Sequence, residues 1–368
     1  MSRPRQLDVI HFRQGDAGVA ARPGSHLRLF AIALLLATKG VCDDTPAGPD
    51  VQNDEQPPLL ELRGDDIQAE IGHFKHDVRA DFGSENFGAL ETLSAQLIAD
   101  KARFDNGSWK IYQFHAALEP TVRGSEDAMD ARIQKWEAQY PLSVTARIAH
   151  VMLFTDYAWE ARGGGWASEV TPQGMQLFSE RLVKANDELT AARRLDQKSP
   201  MLWGAGLVVA LGQGWSKDDA MEFYNEGKAF EPSFWNLDVR MATFLLPRWY
   251  GESGEWEKLA EDEIGRSGGL GEEGYARTVF AMAGYHKNVF KETRARWTLA
   301  RKGYLLMRER YPNSKAVLSE FAFLAVEAGD KPLARSLFKE FDGHGDPGVW
   351  RTLEYLQQCE QWAYGIPN

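Results

Sequence analysis

An all-α fold, a right-handed solenoid of antiparallel helix pairs, is predicted by three features of the 368-residue chain. Apolar residues recur at three- and four-residue steps with charge between them, as from Gln176 to Leu195 and from Thr293 to Arg310. That is the period of a helix with one buried stripe. A fixed spacing of large and small residues also returns along the chain. Alternating β-branched segments separated by hairpin turns are absent, so no sheet is expected.

The repeat is clearest near the C-terminus. Leu318, Phe321, Ala322 and Ala325 are followed by Ala334 and Phe338. This resembles the tetratricopeptide order W-x2-L-G-x2-Y then A-x3-F, with substitutions that keep large and small positions apart. Upstream, Gly204, Leu207, Val208 and Leu211 lead to Ala220, Tyr224, Gly227 and Pro232 with the same A-x3-aromatic step. Helices through Ala185, Leu189 and Ala192, and through Ala300, Tyr304 and Met307, end at Leu195-Asp196 and Tyr311-Pro312. Prolines are expected to close the units, since proline lacks the amide proton that a continuing helix needs. The intervals Pro200 to Pro232 and Pro312 to Pro347 approach the unit of about 34 residues. One hairpin cannot bury its apolar face alone, so stacked neighbours are required, and such arrays present a surface to a partner. The hydrophobic share of 43% is enough for an extended core, in which most of the 12 Trp are expected to pack.

The expected divisions are a signal over 1–42, an acidic Pro-rich linker over 43–59, a helical domain over 60–361 and a tail over 362–368. Arg3, Arg5, Arg13, Arg22 and Arg28 precede the apolar run Leu29 to Ala37. The run has the length of a signal-peptide core and is shorter than the ~20 residues a bilayer requires. Gly40 and Cys42 fit cleavage before Asp43, which places the mature chain in the periplasm or outside the cell. Cys42 before Asp43 and Asp44 also resembles a lipoprotein junction, although Lys39 and Val41 depart from its usual residues. A lipid on Cys42, holding the chain in the bacterial envelope, is the alternative. Cys359 is the other thiol of the sequence, so no disulfide framework is expected.

Residues 1–42 carry six Lys/Arg and two Asp/Glu, which leaves about −15 on the remainder of a chain whose formal charge is −11. That acidity speaks against nucleic acid, whose phosphates need a basic footprint. It equally disfavours anionic membrane surfaces, so a membrane is reached only through a lipid on Cys42. A protein or peptide is the expected partner.

Motifs for chemistry are sparse. His73 and His76 form H-x2-H, but no second pair stands at zinc-ligand spacing. Gly163-Gly164-Gly165 and Gly212-Gln213-Gly214 lack the Lys-Ser/Thr of a phosphate loop. No cofactor, metal ligand or catalytic residue is assigned. Glu252-Ser253 matches the Glu-Ser pair of helical lytic transglycosylases without that family's downstream Gly-Leu-Met-Gln element. One constellation stands out: Arg162, Trp166, Trp215, Arg248, Trp249 and Tyr250 all fall where the first helix of a pair turns into the second. Either they form an aromatic and arginine ledge of the kind that dominates binding hot spots, or the rings fold back over helix ends.

Leu245-Leu246-Pro247-Arg248-Trp249-Tyr250-Gly251, Tyr157-Ala158-Trp159-Glu160-Ala161-Arg162-Gly163 and Gly212-Gln213-Gly214-Trp215 resemble an uncharacterised bacterial family known only as a domain of unknown function. The resemblance covers roughly residues 75–345 and implies tetratricopeptide-like repeats and an envelope location, with no activity or ligand attached. The leading expectation is an exported, non-enzymatic helical-repeat protein that binds another protein or a peptide. The alternative is an enzyme acting on envelope glycan or peptide through a carboxylate such as Glu252 or Glu160. It requires a carboxyl of raised pKa beside a second polar group.

Overall fold

A computed structural model describes residues 57–120, 124–165 and 169–366. The expected signal with Cys42, all but the end of the linker, and Trp166 lie outside the described residues. In chain order the elements are β1 (Glu61–Leu62), α1 (Asp66–Gly83), α2 (Phe87–Ala99), α3 (Lys110–Ala117), α4 (Glu126–Gln139), α5 (Val144–Arg162) and α6 (Pro172–Arg193). Then come α7 (Pro200–Gln213), α8 (Lys217–Phe230), α9 (Asn236–Phe244), α10 (Glu255–Ile264), α11 (Glu272–Ala283) and α12 (Val289–Glu292). The chain continues through α13 (Trp297–Arg310), α14 (Lys315–Glu327), α15 (Lys331–Lys339), β2 (His344–Gly345), α16 (Pro347–Trp350) and α17 (Leu353–Tyr364). Apart from the short parallel pairing of β1 with β2 and an isolated bridge between Arg103 and Trp109, the described residues form an all-α fold.

Helix starts follow local chemistry. The side chains of Ser143, Thr171, Ser199, Ser216, Ser314 and Asp330 each accept a backbone N–H in the first turn of α5, α6, α7, α8, α14 and α15. These caps satisfy donors that no preceding turn can serve. Pro200 and Pro347 open α7 and α16 as well as marking the end of what precedes. A missing N–H costs nothing at the first helical position. The helix expected from Thr293 begins only at Trp297, because the Thr293 hydroxyl bonds the Val289 carbonyl and the Arg296 N–H donates to the Tyr275 hydroxyl. At the other end α17 runs through Tyr364, past the expected boundary at residue 361.

Successive helices pack as pairs: α5 with α6 most extensively, then α7 with α8, α9 with α10, α11 with α13, and α14 with α15. Neighbouring pairs join through α5–α7, α7–α9 and α9–α11 and through α6–α7, α8–α9, α10–α11 and α13–α14. The small positions read from sequence lie at these contacts: Ala220, Ala322 and Ala334 are fully buried. At Gly303 of α13 a Cβ would stand 2.1 Å from the Glu272 carbonyl oxygen, so only glycine permits the approach of α13 to α11. Helix α7, central to this packing, is buried from Pro200 to Gly212.

Helices α1 to α3 return to the far half of the chain. The Lys315 N–H donates to Asp65 at 2.9 Å, Arg103 donates to Ser233 at 2.8 Å, and Arg277 donates to the Asn106 carbonyl at 2.9 Å. Trp109 meets Phe234 edge-on at 5.2 Å. One hydrophobic core therefore extends from Leu60 to Tyr364. No helix among the described residues is long and apolar enough to cross a membrane.

Candidate functional site

The turn after α5 gathers part of the sequence-predicted ledge. Arg162 donates to the Gly163 and Gly165 carbonyls, each at 3.1 Å, and its guanidinium lies 5.5 Å from the centre of the Trp159 ring. Burial lowers its pKa below the usual arginine value. Trp249 meets Trp159 edge-on at 5.7 Å. Tyr250 donates to the Leu211 carbonyl at 3.0 Å and lies against Phe244 at 4.8 Å. Trp215 packs edge-on against Phe223 at 5.6 Å and donates to Gln213 at 3.0 Å. Arg248 is exposed, 6.0 Å from the Tyr285 ring. Trp215, Trp249 and Tyr250 are half-buried, each with one side on the core. The indole N–H of the buried Trp159 has no hydrogen-bond partner within the protein.

Helices α4 and α5 run antiparallel, and one face of α4 brings Glu126, Asp130 and Glu137 against α5. Glu126, 5% exposed in the first turn of α4, hydrogen-bonds Glu160 in the last turn of α5. Burial pushes the Glu126 carboxyl up, and the bond to Glu160 pushes the same way, against backbone N–H groups that favour its charged form. Two carboxyls can bond to each other only when one keeps a proton. One turn earlier on α5, burial and the neighbouring Glu119 charge hold Asp156 well above the usual carboxylate range, with Arg240 of α9 opposing. Burial raises the Tyr112 hydroxyl beside them to about 12.

At the other end of the same seam lies a carboxylate and imidazole cluster. His150 of α5 is buried and stacks on Phe154 at 4.4 Å. Its Nδ1 is 3.0 Å from Glu137 Oε1 and 3.9 Å from Glu188 Oε1 of α6, and its Nε2 is 2.9 Å from Asp130 Oδ1. Arg147, one turn before His150, holds the outer oxygens: Nη1 is 2.5 Å from Glu188 Oε2 and 3.4 Å from Glu137 Oε2. Burial lowers the His150 pKa, but its hydrogen bonds and attraction to these carboxylates outweigh burial and leave it raised. One nitrogen and the two carboxylates converge with ligand atoms all within 4.8 Å.

Of the remaining sequence candidates, Glu252 is exposed in the turn before α10, where its N–H donates to Glu255 at 2.9 Å. His73 and His76 are exposed on α1, with His76 3.3 Å from Asp77. Glu160 is the sequence-named carboxylate that meets a raised-pKa partner. Glu126, Asp130, Glu137, His150, Asp156 and Glu188 escaped the motif search because their partners come from different helices. The recurrence of acids at 126, 130 and 137 on one face of α4 is the signal that was available. Comparison with protein families, with curated proteins and with solved structures finds no match.

Proposed function

We propose that this protein is a carboxyl-dependent hydrolase acting on a glycan or peptide of the bacterial envelope, with Glu126 as proton donor and Glu160 as its partner carboxyl. The observation that carries the reading is the meeting of two carboxyls from different helices, where burial and the neighbouring Glu160 both raise the pKa of Glu126. Two adjacent carboxyls can act as one acid–base unit in hydrolysis: the protonated carboxyl gives its proton to the leaving group while its partner takes one from the attacking water. The last turn of α5 also carries Trp159 and Arg162, against which Trp249 and Tyr250 gather. Aromatic faces suit the C–H faces of sugar rings, and the Trp159 N–H and Arg162 guanidinium suit hydroxyl oxygens. The Glu137–His150–Glu188 group on the same seam adds a second set of residue types able to do chemistry.

The setting is a tetratricopeptide-like solenoid, a reading supported by the order in which α5, α7, α9 and α11 pack on one another. The folding of α1 to α3 onto the later helices uses part of the surface that an open scaffold would offer, and so favours a localised site. An envelope substrate agrees with the export signal read in residues 1–42.

The test is turnover. Full-length protein is incubated with purified peptidoglycan and other envelope glycans, and released fragments are identified by mass spectrometry. Glu126→Gln and Glu160→Gln should each lower the rate by about 10²–10⁴-fold, the range for loss of a general acid or base, with melting preserved. Absence of turnover by wild-type protein, or full activity in both variants, sinks the proposal. Partner binding is the second reading, favoured by exposed Arg248 beside half-exposed Trp249. Under it, a protein from envelope extract binds the wild-type chain and not Arg248→Ala, with no glycan product.

A further inference from the structure

We propose that Glu137, His150 and Glu188 form a binding site for a first-row divalent metal ion, Zn²⁺ being the best fit, with Asp130 and Arg147 orienting the ligands. The inference stands apart from the Glu126–Glu160 pair and does not need that pair to be catalytic.

Geometry is the first argument. Zinc bonds to histidine nitrogen and carboxylate oxygen are about 2.0–2.2 Å, so tetrahedral donors stand ~3.4 Å apart. The separations of His150 Nδ1 from Glu137 Oε1 and Glu188 Oε1, 3.0 and 3.9 Å, bracket that value. Three protein ligands leave a fourth position for water. The cluster borders the surface, with Glu137 and Glu188 keeping 12% and 20% of their side-chain exposure while His150 keeps 4%.

The second argument is the set of groups behind the ligands. A metal-bound histidine commonly donates its other N–H to a carboxylate, which fixes the tautomer and strengthens the ligand. Asp130 Oδ1, 2.9 Å from Nε2, stands in that position and leaves Nδ1 for the ion. Arg147 binds Oε2 of both glutamates, so their Oε1 atoms point together at Nδ1. Charge is the third argument. With neutral imidazole, the three carboxylates and Arg147 leave two negative charges in a partly buried site, which a dication balances. Lys184 lies over the Phe154 ring at 5.4 Å and so faces the stacked aromatic pair.

One nitrogen with two oxygens suits a borderline ion over Mg²⁺ or Ca²⁺, which prefer oxygen donors alone. The untagged full-length chain, stripped with chelator, is titrated with Zn²⁺ by calorimetry, and the metal retained after gel filtration is counted. One Zn²⁺ per chain is expected, undisturbed by excess Mg²⁺. Asp130→Asn should weaken it by about 10–100-fold, His150→Gln and Glu188→Gln should abolish it, and a His73→Gln/His76→Gln double variant should bind as wild type. Co²⁺ in the same site should give the visible absorption of a four-coordinate nitrogen and oxygen set. Circular dichroism establishes that each variant is folded; if His150→Gln is not, Glu188→Gln carries the comparison. Failure of folded wild-type protein to bind Zn²⁺, or undiminished binding in the folded ligand variants, overturns the assignment.

Discussion

At His115 in α3 the imidazole is fully enclosed, neither ring nitrogen has a hydrogen-bond partner within the protein, and burial lowers its pKa to about 3. The unfolded chain takes up a proton below about pH 6.5 and the folded chain does not. The contribution is thus fully present above pH 6.5 and is lost as pH falls toward 3. A shift of this size corresponds to about 5 kcal/mol over that window, at 1.36 kcal/mol per pKa unit. His115→Phe should remove most of this acid loss, seen as a smaller drop in urea-unfolding stability between pH 7 and pH 4 than in wild type. The chemistry of single residues was only partly legible in the sequence. The expected ledge was picked by residue type and by place in helix-to-helix turns, and Glu160 was named beside it as a candidate carboxylate. Glu126 was legible only as one of the acids at 126, 130 and 137, because its raised pKa comes from burial and from a carboxyl on another helix. His150 was passed over for H-x2-H at His73 and His76, a local spacing that ends at the surface.

Between elements, the packing was more readable, since it rests on side-chain size at helical spacing. Ala334 of α15 is fully buried where α15 meets α14, and the A-x3-F step had placed a small residue there. Ala334→Leu should overpack this contact and cost about 1–3 kcal/mol. Differential scanning calorimetry reads it directly, and an unchanged transition would mean that α14 and α15 are not closely packed. The buried group Lys228, Asp238 and Glu263 joins α8, α9 and α10, with Lys228 Nζ 2.8 Å from Asp238 and 3.4 Å from Glu263. No periodicity announces such a group, because an ionisable residue in a helix reads as solvated until its neighbours are known. The prolines were readable as boundaries. Their second role, opening α7 and α16, follows from the first-turn rule and not from the repeat.

Across the whole molecule, α1 to α3 determine how much of the helical array faces solvent. Their contacts, such as Asp65 with Lys315 and Asn106 with Arg277, join residues far apart in sequence. The all-α class was legible while this closure was not. The closure also sets the Tyr112 hydroxyl and Glu119 within electrostatic reach of Asp156 on α5 and Arg240 on α9. The proposed pair, Glu126 at the start of α4 and Glu160 at the end of α5, would work over a range that belongs to the two groups together. The decisive measurement is the pH dependence of kcat/KM for envelope-glycan cleavage by the full-length protein. A bell is expected, its alkaline limb set by loss of the Glu126 proton, which burial and Glu160 shift upward from the usual glutamate value. Glu126→Gln should abolish the alkaline limb along with most of the rate. A profile that Glu126→Gln and Glu160→Gln leave unchanged would contradict the account.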